Sequence, residues 1–113
     1  DDAYHAVRIR LKHARYAIEA VARALDPAGA DDARKLARRL ADLQDLLGGL
    51  QDAAVAAEAL EAAVAEHPVD ATLAFAAGRL AERQLAHVRT AREAFGPRWA
   101  KARKRRRLRW SAV

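Results

Sequence analysis

Residues 4–25 read YHAVRIRLKHARYAIEAVARAL, and this stretch decides the fold. Within it Tyr4, Val7, Leu11, Ala14, Ile18, Val21 and Leu25 recur at alternating steps of three and four. That spacing makes the one-sided apolar seam of a helix packed in a bundle; a strand would alternate with a period of two. Asp1 and Asp2 stand where they can cap the helix, and Asp26, Pro27 and Gly29 end it.

Working outward, the same punctuation predicts further helices. Asp31 caps a second, with Leu36, Leu40, Leu43 and Leu47 as its seam and Gly48-Gly49 as its stop. A third starts near Asp52, uses Val55, Leu60 and Val64, and stops before Pro68. Asp70 caps a fourth, with Leu73, Leu80, Leu85, Val88 and Phe95, ending at Gly96. Pro97 suits the first turn of a short fifth helix. Short loops imply antiparallel neighbours. The expected fold is therefore all-α: an antiparallel four-helix bundle over residues 1–97, followed by a basic C-terminal helix or tail over 98–113.

Composition narrows the function classes. The 113 residues fit one domain or half of a larger one. Apolar residues make up 52% of the chain, but many are alanine, so each buries little area. A small, Ala-rich domain is marginal alone, which favours a homodimer or pairing with a missing second half. The chain starts at Asp1 and has no methionine, so it reads as a fragment of a longer product. It has no cysteine, which excludes disulfides, thiolate catalysis and Cys-based zinc sites and fits a reducing cytoplasm. No apolar run approaches the roughly 20 residues of a membrane span.

The net charge of +6 is unevenly placed. Residues 1–97 hold 13 Lys and Arg against all 15 Asp and Glu; residues 98–113 hold 8 basic residues and no acid. From Ala3 to Ile18 there are four Lys or Arg and two His, with no carboxylate. Both segments predict a negatively charged partner.

The most informative constellation is His5, Arg8, Lys12 and Arg15. On a helix these four fall in a wedge of roughly 80°, directly beside the apolar seam, and form a ladder about 15 Å long. Tyr16 and Arg23 extend the stripe, and Glu19 is its one acidic member. Like charges at these spacings weaken an isolated helix, so a ladder left unneutralised makes sense if a ligand supplies the negative charge. A single phosphate would need one or two of these groups; the length suits a linear polyanion charged at every unit. Arg offers a planar fork to phosphate oxygens, and Lys a compact point charge.

Other chemistries find little support. The one serine, Ser111, is in the tail, and Thr72 and Thr90 have no neighbouring base, so an enzyme is not expected. No histidine pair among His5, His13, His67 and His87 has the i, i+4 spacing of a metal clamp, so neither metal nor cofactor is expected. Gly48-Gly49 is no phosphate loop, because no GK[ST] follows. The tail from Arg98 to Trp110 is the densest charge, with Trp99 and Trp110 as anchors. Arg103, Lys104, Arg105 and Arg106 can add secondary polyanion contacts, and the alternative function is a nucleic-acid-binding module driven by this tail. Such a tail gives affinity with little selectivity.

Two blocks carry a family resemblance. Residues 5–16 read HAVRIRLKHARY and residues 43–52 read LQDLLGGLQD, with Val55 following. Together they resemble the CHAD domain, the conserved histidine α-helical domain, whose pattern is roughly H-x-x-R-[VI]-x-x-K-[RH]-x-R-Y and then L-Q-D-x-L-G-x-L-[NHQ]-D-x-x-V. Gly78 to Arg83 are compatible with a looser third block, so the resemblance covers about residues 3–95. It implies one of two four-helix repeats that meet at a basic cavity. It also implies non-catalytic binding of inorganic polyphosphate, and targeting of attached proteins to polyphosphate granules. Carried over by position, His5, Arg8, Lys12 and Arg15 are the implied ligands, with Arg38 and Arg83 as further ones. Asp45 and Asp52 are expected to orient Arg side chains or, for Asp52, to cap the third helix. The chain departs from the pattern at Ala41, where the family often carries a basic residue, and in having a single repeat.

Overall fold

The computed structural model describes residues 2–104 and Trp110. All its regular structure is helical: α1 (Asp2–Ala22), α2 (Pro27–Glu66) and α3 (Ala71–Ala102). Short connections make α1 antiparallel to α2 and α2 antiparallel to α3, with α2 packed against both. The molecule is a rod of 65 × 22 × 20 Å. The 40 residues of α2 span about 60 Å by themselves and set that length.

Three helices among the described residues replace the four-helix bundle expected from punctuation. Gly48-Gly49 is no stop, and no helix begins at Asp52: α2 runs through both sites with neither glycine at positive φ. Each glycine costs a helix interior roughly 1 kcal/mol against alanine. That is small beside the burial of Leu43, Leu47 and Leu50, each 1% exposed, on the turns around them. α2 also starts earlier than expected. Asp26, rather than Asp31, is the cap: its carboxylate accepts the Gly29 N–H at 2.7 Å, and Pro27 opens the first turn with its φ already helical. Asp70 caps α3 as expected, accepting the Leu73 N–H at 2.9 Å.

Pro97 opens no fifth helix. It lies inside α3, which continues to Ala102. Packing on both sides of the proline opposes the break: Phe95 and Trp99 stack with ring centroids 6.4 Å apart, and Ala102 is 1% exposed. Trp110 packs back onto the same core cluster as Leu11, Leu36, Leu40, Leu43 and Leu47.

The rod has two unlike halves. Where α1 covers α2, Leu11 and the α2 leucines form a three-helix core, joined at its edge by Tyr4, Val7, Ile18 and Phe95. Between α1 and α3 lies an apolar trough of about 550 Å³ floored by Leu36 and Leu40 and rimmed by Arg10 and Arg103. Beyond α1, α2 and α3 continue as a two-helix arm. There the buried residues are small ones, among them Ala53, Ala57, Ala77 and Ala81. Val55, Leu80 and Leu85, expected to form the seam, are exposed, because no third layer covers them.

Candidate polyanion-binding face

The ladder lies along the α1–α2 boundary, and half-burial divides it. His5 and Lys12 are exposed, whereas Arg8 and Arg15 are partly buried. Arg8 reaches across to α2 and lies on Gly48. A Cβ built there would stand 3.4 Å from both Nε and Nη2 of Arg8 and 3.6 Å from its Cζ. Its Nε is buried without a hydrogen-bond partner, as are Arg15 Nε and Gln44 Oε1. An unsatisfied buried donor costs about 1–3 kcal/mol, more on a charged group.

Counter-charges are scarce. Among the described residues, Arg15 Nη1 meets Glu19 Oε1 at 3.8 Å, a long contact with the carboxylate half exposed, and Arg89 pairs with Glu82 at 3.0 Å on α3. No carboxylate comes within ion-pair reach of His5, Arg8 or Lys12 among the described residues. Arg15 also lies over the Tyr16 ring, 4.7 Å from its centroid, which fixes its direction.

Past Arg15 the ladder opens into a groove of about 450 Å³. α1 supplies Arg15, Glu19 and Arg23; α2 supplies Arg34 and Arg38 over a floor of Ala37 and Ala41. Four guanidinium groups face one carboxylate. Ala41, the departure from the family pattern, adds no charge to the floor.

Arg38 therefore joins the ladder through the groove. Arg34, one turn before it, belongs to the same groove and was not singled out by its sequence. The i, i+4 spacing to Arg38 was the available signal, but only the α1–α2 register shows that both face Arg15. Arg83 is not brought to this face. It lies on the arm among α3 residues, beside Phe75, Arg79 and Glu82. Arg103 and Lys104 are exposed just past the end of α3, and Arg103 rims the apolar trough instead of the groove. Arg105 and Arg106 lie outside the described residues. Asp45 and Asp52 are exposed within α2, and no helix begins at Asp52 for it to cap.

Among the described residues, no group of three or more His, Asp or Glu is placed to hold a metal ion. No helix among them is long and apolar enough to cross a membrane. His67 ends α2, where its backbone N–H donates to Val64 O at 3.1 Å, and His87 is exposed on α3.

Comparison with known proteins finds no curated protein and no solved structure that matches the chain. The family model of the CHAD domain matches residues 1–61, more than half of the 113. That span holds α1, most of α2 and every residue of the basic face described above. The chain belongs to the CHAD domain family.

Proposed function

We propose that the chain binds inorganic polyphosphate, without acting on it chemically, by laying it along the α1–α2 face from His5 to the Arg23–Arg34–Arg38 groove. CHAD domains as a family are linked to polyphosphate binding. The observation that carries the assignment is the run of His5, Arg8 and Lys12 with no carboxylate in ion-pair reach among the described residues, leading into a groove of four guanidinium groups and one carboxylate. A linear phosphate chain would supply the missing counter-charge along this whole run, and release counterions from itself as it does so.

Pairing is part of the same proposal. The apolar trough and the exposed apolar side chains of the arm are covered by a second copy of the chain or a second repeat. Sedimentation at high concentration then shows a dimer of the isolated chain; a monomer would remove this part. An attached protein would be drawn by such binding to cytoplasmic polyphosphate granules.

The experiment is a competition between long-chain polyphosphate and duplex DNA at physiological salt. It is run on the chain and on a variant with Arg105, Arg106, Arg107 and Arg109 replaced by Gln. Polyphosphate should win in both, because the face and not the tail selects it. If DNA competes equally with the intact chain and all binding vanishes in the variant, the tail-driven nucleic-acid function is correct instead.

A further inference from the structure

Gly48 sits in the interior of α2, where alanine would make a better helix, and nothing about its backbone calls for glycine because its φ is not positive. Its neighbour Gly49 has open space around it: an added Cβ would meet nothing within 4 Å. At Gly48 the added Cβ would instead meet three atoms of Arg8, the two nitrogens Nε and Nη2 at 3.4 Å and the Cζ between them at 3.6 Å. The nitrogens being nearer than the carbon places the Cβ position obliquely over the Nε–Nη2 edge of the guanidinium. That edge, with its Nε buried, is therefore turned toward α2.

We propose that Gly48 is a positioning residue for the phosphate chain: its missing side chain lets Arg8 lie against α2, with Nε buried in that contact, and so sets where the guanidinium end meets the ligand. This deepens, and rests on, the polyphosphate role proposed above. The two glycines differ: a side chain longer than alanine's at 48 would run into the Arg8 guanidinium, whereas one at 49 points into free space. The buried Nε of Arg8 shows how closely the guanidinium is seated on α2. A bulky side chain at 48 would push the guanidinium off this seat.

The test compares Gly48→Ala and Gly48→Leu with Gly49→Ala and Gly49→Leu, by thermal melting and by calorimetric titration with long-chain polyphosphate. Both Gly49 variants should melt higher than the parent and bind within twofold of it. Gly48→Ala, whose methyl would stand at ordinary contact distance from Arg8, should melt at least as high and bind within about twofold of the parent, whereas Gly48→Leu should bind tenfold or more weakly. In an Arg8→Ala background Gly48→Leu should cost no further affinity, a non-additivity that a merely structural glycine would not show. If Arg8→Ala weakens binding but Gly48→Leu binds like Gly49→Leu, the positioning role is wrong and the polyphosphate role stands. If the parent does not bind polyphosphate, or Arg8→Ala leaves binding intact, the underlying role itself fails.

Discussion

Glu19→Gln removes the single carboxylate of the groove and should move stability and affinity in opposite directions. Its Oε1 is 3.8 Å from Arg15 Nη1, and the two side chains are 46% and 24% exposed. A solvent-screened i, i+4 pair of this kind is worth about 0.3–0.5 kcal/mol. The variant should therefore unfold with at most ~0.5 kcal/mol less stability, a fall in melting temperature of roughly 2–4 °C for a domain of this size. Affinity changes the other way. A phosphoryl group seated against Arg15 and Arg38 would lie on the order of 7 Å from the carboxylate, where two unit charges repel by roughly 0.4–1 kcal/mol after screening at physiological salt. Removing that repulsion should tighten polyphosphate binding about two- to fivefold. The gain should shrink as salt is raised, because the screening length falls from about 8 Å to about 3 Å at 1 M. Calorimetric titration at two salt concentrations, with a thermal melt of each protein, reads both quantities. Equal or weaker binding by a folded Glu19→Gln protein at low salt would show that the phosphate chain does not pass through the groove.

Three further outcomes concern the scaffold. Leu47→Ala, at a site 1% exposed in the three-helix core, should cost about 2–5 kcal/mol in urea denaturation, enough to leave so small a domain barely folded. Pro97→Ala should raise the melting temperature, because proline in a helix interior costs about 3 kcal/mol in a missing bond and a ring clash; a lower melting temperature would mean that the proline sets the path bringing Trp99 onto Phe95. Asp26→Ala, which loses the 2.7 Å bond to the Gly29 N–H, should destabilise by about 1 kcal/mol, whereas Asp31→Ala should do little.

How far the sequence reached can be judged element by element. The α1 seam was legible because its period is long and unbroken, and Leu11 with its partly buried neighbours Tyr4, Val7 and Ile18 packs as that period requires. Helix ends were less legible. Gly48-Gly49 and Pro97 are strong local stop signals, yet the leucines around the first and the Phe95–Trp99 stack across the second outweigh them. Local preferences of 1–3 kcal/mol yield when several buried side chains depend on continuity. On the arm, leucine and valine spacing misled because the α2–α3 contact is made by alanines, whose small size lets the helices approach and leaves Val55 and Leu80 outside. The ladder could be read as three cations and a histidine in register beside the seam. The groove could not, because Arg34 becomes relevant only once α1 and α2 are aligned so that it faces Arg15. Nor does any one-dimensional pattern show that Gly48 is a seat for Arg8.

The most direct measurement places equal charge changes on two faces of the same rod. One protein carries Arg8→Glu with Lys12→Glu on α1; the other carries Arg79→Glu with Arg83→Glu on the α3 arm. Both lower the net charge by the same amount, so any difference in polyphosphate dissociation constant at physiological salt reports location alone. The α1 reversal should weaken binding by two orders of magnitude or more, and the arm reversal by severalfold at most. Equal losses from the two proteins, both still helical, would contradict a dedicated α1–α2 face and leave a basic rod that holds polyanions without a site.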